Sequence, residues 1–427
     1  MTSIKTLFAG TSIICTTALG SGLFVIPIVL SNQSLWVAGS ILAGYCTVMT
    51  IAALVMVEIS LRFPKGSNIH SIAREGLGNR GALISGLAFC IVFTFVLYSS
   101  LCGLIELVGY LSEHRFNKTI AWILLICFLS FLVMAIGQLD KLGYINAVLW
   151  IMVFSLTIFS LFNIQEINYP ASSAFQSDSI GKWLIIIPLC QSCFSFHAIL
   201  PSMVKFFNQD RKTSIASILI TMPIVYLIYM VWLFSVREAL PASLISEIAS
   251  NAQSTQELIS SMADLLSPFF SAVMYLLYFV VIFTSLVGLS MAAQDFVKDK
   301  LSLNESIQSN LISLITIYTV PVLLYFYNDD GFIYGIQISV LGSTFLAILL
   351  PTIIAIKSRA AGGHEIEMIN GRFLKFLLVF GVLSLLINVM SQVPALQDKK
   401  IAIPVNTCIQ LLSVNSEHKD LTGTCKD

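Results

Sequence analysis

The residues best placed to handle a ligand in this sequence are uncharged. Thr16-Thr17-Ala18-Leu19-Gly20-Ser21-Gly22 lies near the middle of a long apolar run, with Pro27 beyond it. Two glycines one residue apart loosen a helix and let a ligand approach the main chain. A second apolar run carries Ser192-Cys193-Phe194-Ser195-Phe196-His197 at its middle, with Pro201 beyond. A helix interrupted in lipid frees amides at the positive end of one half-helix dipole and carbonyls at the negative end of the other. Facing ends of that kind hold a zwitterion without a fixed countercharge. Neither interruption contains Lys, Arg, Asp or Glu, so a ligand of net charge lacks a partner there. An amino acid fits, its carboxylate on the first break (Thr17, Gly20, Ser21, Gly22) and its ammonium on carbonyls of the second. Close helix packing through small residues is the competing reading of the first break taken alone.

Phe194 and Phe196 flank the second break, and Ser195 lies between them. Tyr98, Tyr275 and Tyr278 reach a similar depth from other runs. Aromatic walls favour an aromatic or apolar substrate side chain, although most of the 29 Phe of such a chain face lipid or core. Ionisable groups inside a span are costly and mark function by default. His197 is the one histidine within an expected span, and its ordinary titration range suits proton coupling or recognition of a substrate hydroxyl. Glu106 is the candidate gate or proton site. Glu58 reads as a salt-bridge partner for Arg62, one turn on. Thr284-Ser285 offers hydroxyl oxygens to a cation, unless both hydroxyls bond back to the preceding turn.

The elements that position these residues are membrane spans. The chain has 427 residues, 57% of them hydrophobic and 11% charged, with a mean hydropathy of +0.88. A soluble domain carries about 25% charge, so lipid must be the main solvent. A hydrocarbon core takes roughly 20 apolar residues per helix. Uninterrupted runs predict eleven spans: Thr6–Leu30, Trp36–Leu61, Ala82–Leu111, Thr119–Gly137, Tyr144–Phe162, Trp183–Phe207, Ser214–Val236, Pro268–Gln294, Ser309–Tyr327, Phe332–Ile356 and Phe373–Val393. The first is too long for a signal-peptide core and lacks a clean cleavage site. The broken runs open two successive five-span groups, residues 6–162 and 182–356. Five is odd, so the groups are inverted relative to the membrane. Interruptions at matching positions of inverted repeats point to a secondary transporter with a central site.

The expected fold class is therefore an all-α polytopic membrane protein with eleven transmembrane helices. It has a 5+5 inverted repeat with discontinuous helices 1 and 6, an extra helix at 373–393 and a tail at 394–427. Lys and Arg fall mostly in segments on the amino-terminal side, 15 of 23, which predicts a cytoplasmic amino terminus and a carboxyl terminus on the outer side. Glu238, Glu247, Glu257 and Asp264 gather in the loop between the seventh and eighth spans. The balance of 23 basic and 23 acidic residues argues against nucleic acid as a partner.

Seven of the nine cysteines lie within spans, where they read as small apolar residues. Cys408 and Cys425 fall in the outer tail, where a disulfide between them is feasible. The Cys190–Cys193 spacing has no second pair, and no metal site is expected. No span pairs a nucleophile with a base, so an enzyme is not expected. The longest cytoplasmic segment is too short for a signalling output domain, which argues against a non-transporting sensor.

Thr17-Ala18-Leu19-Gly20-Ser21-Gly22-Leu23-Phe24-Val25-Ile26-Pro27 resembles the first-helix signature of the bacterial aromatic amino acid permeases, the tyrosine- and tryptophan-specific permeases of the hydroxy and aromatic amino acid permease family. Phe194-Ser195-Phe196-His197-Ala198-Ile199-Leu200-Pro201-Ser202 is similar to that family's sixth-helix signature. Further matches run through Glu58, Phe63-Pro64-Lys65-Gly66, Leu77-Gly78, Glu106-Leu107, Thr284-Ser285, Asp295 and Asn370-Gly371-Arg372. The resemblance implies the leucine-transporter fold and proton-driven uptake of L-tyrosine or a close relative across a bacterial inner membrane, with no cofactor beyond the coupling ion. It departs at Ser195 and Ala198, where family members carry glycines, and at Ala147-Val148-Leu149-Trp150, where they can carry a lysine. The second departure keeps a sodium-coupled or exchanging carrier of another neutral amino acid open. Membrane lipids are the other expected partners, and the sequence sets no oligomeric state.

Overall fold

The computed structural model describes residues 4–111 and 180–393, apart from residue 21 and stretches at 31–32, 66, 249–253, 265–267, 305, 329–330 and 363–366, together with Leu124, Leu125 and Phe128. Among the described residues the structure is all helical, with nine helices long and apolar enough to cross a membrane. The expected spans Thr119–Gly137 and Tyr144–Phe162 lie outside the described residues save for those three positions, and the tail with Cys408 and Cys425 lies outside them entirely.

The first span is two helices, α1 (Ile4–Leu19) and α2 (Gly22–Val29). They are followed by α3 (Leu35–Arg62) and α4 (Ile69–Leu111). The next span is again divided, into α5 (Ile180–Ser192), a 3-10 turn at His197–Ile199 and α6 (Leu200–Phe206). Then come α7 (Arg211–Ala239), α8 (Ala242–Ile248), α9 (Ser254–Asp264), α10 (Pro268–Leu301) and α11 (Ile307–Tyr327). The chain continues as α12 (Phe332–Thr344), a π-helical segment at Phe345–Leu349, α13 (Leu350–Ala360) and α14 (Gly371–Met390). Helix starts leave amides without partners, and side chains take them up. Ser34, Asp210, Ser306 and Asn370 cap α3, α7, α11 and α14 in this way.

Three features differ from the sequence expectation. The third span starts at Ile69 rather than Ala82, because a kink at Gly78 (φ 76°, ψ −169°) joins a short helix to the long one. Glycine alone takes such a backbone conformation without strain. The acidic loop between the seventh and eighth spans folds into α8 and α9, whose apolar residues Ile245, Leu258, Ile259 and Met262 are buried. Both helices pack on α2. The π-helical segment has no local sequence signal, since Phe345-Leu346-Ala347-Ile348-Leu349 is uniformly apolar.

The broken first span is the core. Every residue of α1 from Ala9 to Leu19 is buried, as are Gly22 to Ile28 in α2. α1 packs against α7 and α10, and α12 runs along α4. Small residues set that last contact: a Cβ on Gly335 would lie 2.6 Å from the Phe95 carbonyl oxygen, and one on Gly342 would lie 2.4 Å from that of Ala88. Without a hydrophobic driving force between helices in lipid, such close backbone approach holds the bundle. Leu219, Leu227, Leu323 and Leu383 remain exposed on the outer faces, where lipid tails solvate them.

The Lys- and Arg-bearing ends of the helices are tied together. Glu58 is fully buried at the end of α3, 2.7 Å from Arg62 and 2.8 Å from Arg359 of α13. Its carboxylate also accepts the Met368 amide at 2.9 Å. Arg359 donates to the Ile369 carbonyl at 2.6 Å and Arg62 to Ser358 at 2.9 Å. A buried carboxylate is tolerable only with this degree of pairing.

Candidate functional site

The first break is built on two glycines with different duties. Gly20 sits at φ +25°, and its amide closes the last turn of α1 on the Thr16 carbonyl at 3.2 Å. A Cβ there would fall 2.7 Å from Ser285 Oγ, so α10 lies directly against the break. A Cβ on Gly22 would fall 2.6 Å from Tyr229 Oη and 3.0 Å from Cys193 Cα. Gly22 thus lets the first break touch the second. Thr17 packs on Gly288, where a Cβ would stand 2.3 Å from its hydroxyl oxygen. The amides of the first turn of α2 have no preceding helical carbonyl to bond.

The second break satisfies its own main chain with tight turns. The Phe194 amide bonds the Gln191 carbonyl at 3.2 Å, Ser195 bonds Ser192 at 3.0 Å, and Ile199 bonds Phe196 at 3.1 Å. His197 is pinned to α3 by a 2.9 Å contact between Nε2 and the Met49 carbonyl oxygen. A carbonyl only accepts, so Nε2 carries the proton and Nδ1 is left as an acceptor. Nδ1 is buried and has no partner among the described residues.

The two breaks face a common cavity of about 60 Å³. Of the residues singled out from sequence, Thr17, Gly20 and Gly22 line it from the first break, Ser195, Phe196 and His197 from the second, and Ser285 from α10. Phe194 is not on this wall; it packs edge-on to Tyr229 with ring centroids 5.5 Å apart. Glu106 lies partly buried in α4, away from the wall. Tyr98 turns to the Asn328 carbonyl at 2.6 Å, and Tyr278 packs edge-on to Phe24 at 4.7 Å. Ser21 and the Thr284 side chain lie outside the described residues.

Sequence reasoning missed part of the wall. Ser339 and Ser343 of α12, with Leu346 and Ala347 of the π-helical segment, help to complete the cavity. A π-turn in a long helix often marks a functional site, but only three-dimensional structure reveals this one. No lining residue is Asp, Glu, Lys or Arg.

Every hydroxyl of the wall except that of Ser285 has its proton committed. Thr17 donates to the Ile13 carbonyl at 2.8 Å, Ser192 to Leu189 at 2.6 Å and Ser195 to Gln191 at 3.1 Å. Ser339 donates to Ile336 at 2.7 Å and Ser343 to Val340 at 3.3 Å. What they have left for a ligand is lone pairs, as does His197 Nδ1. An uncharged wall rich in acceptors, beside the amide end of α2, matches a ligand that brings its own donors and one carboxylate.

Discontinuous spans around a buried, chargeless cavity define a membrane transporter of the broken-helix class. The fold agrees: the chain superposes on the crystal structure of a manganese transporter from Eremococcus coleocola, in complex with an aromatic bis-isothiourea substituted compound, with a TM-score of 0.61 at 11% identity, covering 96% of this chain and 91% of that one. The chain belongs to the tryptophan/tyrosine permease family, whose profile it matches over residues 3–389. This is a family of transporters, not of enzymes. The chain is 24% identical over 410 residues to a tryptophan-specific transport protein of Haemophilus influenzae, covering 91% of this chain and 96% of that protein. It is 23% identical over 391 residues to a tyrosine permease of Enterobacter agglomerans, covering 88% and 93%. A glutamine transporter of Aliivibrio fischeri is 24% identical over 374 residues, covering 84% and 91%. The protein is thus a multi-pass membrane protein of an amino acid permease family.

Proposed function

We propose that this permease imports an aromatic amino acid, tyrosine first, by proton symport and alternating access across a bacterial inner membrane, with its amino terminus cytoplasmic and its carboxyl terminus periplasmic. The observation that carries the reading is the meeting of both helix breaks at one cavity without a charged side chain. Thr17, Gly20, Ser21 and Gly22 bind the carboxylate through the amide end of α2. Ser192, Ser195, Ser339 and Ser343 accept from the ammonium. Phe194 and Phe196 bracket the ring, Phe194 once the site opens, and His197 Nδ1 accepts from the ring hydroxyl. The coupling proton is carried by His197 or Glu106. The two divided spans head inverted five-span repeats that rock against each other.

The cavity brings the hydroxyls of α12, Ser339 and Ser343, to the same space as both breaks.

A second reading, sodium coupling, rests on Ser285 Oγ, which stands against Gly20 of the first break. Thr284, its neighbour, would be the other hydroxyl. Uptake of labelled tyrosine into liposomes holding the purified protein separates the two. Accumulation driven by an imposed pH gradient supports proton symport, and accumulation driven only by a sodium gradient supports the second reading. A panel of tryptophan, phenylalanine and glutamine as competitors ranks the substrates.

A further inference from the structure

We propose that Tyr229 is the positioning residue that locks the two breaks against each other, by sharing one hydroxyl proton among three main-chain carbonyls. Its Oη lies 2.8 Å from the Ala18 carbonyl oxygen, 3.0 Å from that of Leu19 and 2.8 Å from that of Cys193. The first two end α1, and the third follows the end of α5. Each has lost the amide four residues on, so each is at the negative end of a half-helix dipole. Among the described residues no other donor reaches these three oxygens.

A phenol has a single proton. Three carbonyls from two different spans compete for it, and it supplies the one positive end that their converging dipoles require. The surroundings hold the hydroxyl in place. Tyr229 is fully buried in α7, its ring is edge-on to Phe194, and Gly22 leaves the space that the hydroxyl fills. Tyr229 is not on the cavity wall. It acts through the breaks, fixing how Gly20 and Gly22 stand relative to Ser195 and His197, and does not touch a ligand in the cavity.

This inference rests on the cavity being the substrate site. The test compares Tyr229→Phe, which keeps the ring and removes the donor, with replacement of Tyr229 by para-aminophenylalanine, which restores one. Two readouts are taken in proteoliposomes: labelled amino acid uptake, and alkylation of the buried Cys193 thiol by N-ethylmaleimide, located by mass spectrometry. The phenylalanine variant is expected to lose uptake by about tenfold or more and to expose Cys193 by a similar factor, with the amino variant returning both. Uptake and Cys193 protection within about twofold of wild type in the phenylalanine variant overturn the proposal, a change smaller than the loss of a buried donor produces. So does lost uptake with Cys193 still protected, and so does failure of the amino variant to rescue. If the phenylalanine variant does not accumulate in the membrane, recovery of accumulation and protection by the amino variant supports the role, and its absence overturns it. A wild-type protein that moves no amino acid sinks the transport reading, while Cys193 alkylation still decides the role of Tyr229.

Discussion

His197 donates its Nε2 proton to the Met49 carbonyl oxygen across 2.9 Å, so a residue of the second break is tied to the middle of α3. That bond fixes the tautomer and leaves Nδ1 as a buried acceptor beside the cavity. A buried group that expects a hydrogen bond discriminates strongly against a ligand that lacks the donor.

His197→Ala is therefore expected to cut tyrosine uptake about tenfold more than phenylalanine uptake. The ratio of the two initial rates, wild type against variant, is the measurement. Equal losses would assign His197 to coupling or folding instead of hydroxyl recognition.

Gly22→Ala tests the contact between the breaks. The added methyl would stand 2.6 Å from Tyr229 Oη and 3.0 Å from Cys193 Cα, a main-chain atom that cannot swing away. Overpacking of this kind costs about 1–3 kcal/mol, so the detergent-solubilised protein should melt several degrees lower and transport poorly. An unchanged melting curve with full uptake would show that the breaks do not meet as described.

Much of this site was legible in the sequence, for physical reasons. Gly20 and Gly22 stand out because glycine is the residue a helix break requires, and lipid forbids such a break unless protein covers it. The second break was marked by serines and His197 in an apolar run. Ser339 and Ser343 gave no such sign, because serines bonded to their own helix are ordinary in spans. Tyr229 was hidden for a different reason: one tyrosine in a long apolar helix declares nothing until α1 and α5 bring their carbonyls to it. The placement of Phe194 against Tyr229, not on the wall, follows from that same contact. In the fold, apolar runs located the nine spans among the described residues to within a few residues, except at Ile69, where a short helix precedes the kink at Gly78, and at Leu301, where α10 runs on past Gln294. The π-helical segment could not be foreseen, because its five residues are uniformly apolar and carry no local signal of the register shift.

Glu58 and Arg359 predict a strong coupling between the ends of α3 and α13. Glu58→Gln leaves two guanidiniums near a buried site with only a neutral amide, at a cost of about 3–5 kcal/mol. The Glu58→Gln, Arg359→Gln double variant should lose less than the sum of the single losses in chemical or thermal unfolding. Strict additivity would mean that the 2.8 Å pair contributes nothing of its own.

Gln191 predicts a loss of a different character. Its side-chain amide donates to Thr344 at 2.7 Å and its side-chain oxygen accepts from Ser384, while Asn388 donates to Thr344 at 2.6 Å. This chain welds the end of α5 to α12 and α14. Gln191→Leu leaves the buried Ser384 hydroxyl without its acceptor and removes one of the two donors to Thr344, costing about 1–3 kcal/mol. Uptake should fall with tyrosine and phenylalanine affected alike, in contrast to His197→Ala. A change in the ratio of the two would place Gln191 in contact with substrate.

The central claim is that the amide end of α2 and a set of serine hydroxyls hold a zwitterion with no charged side chain. Competition against labelled tyrosine uptake in proteoliposomes tests it most directly, using tyramine, which lacks the carboxylate, and the deaminated acid, which lacks the ammonium. Loss of either end should weaken competition by about a hundredfold, since each forfeits a charged hydrogen-bond set in a buried site. Tyramine or the deaminated acid competing as well as tyrosine itself would contradict the account.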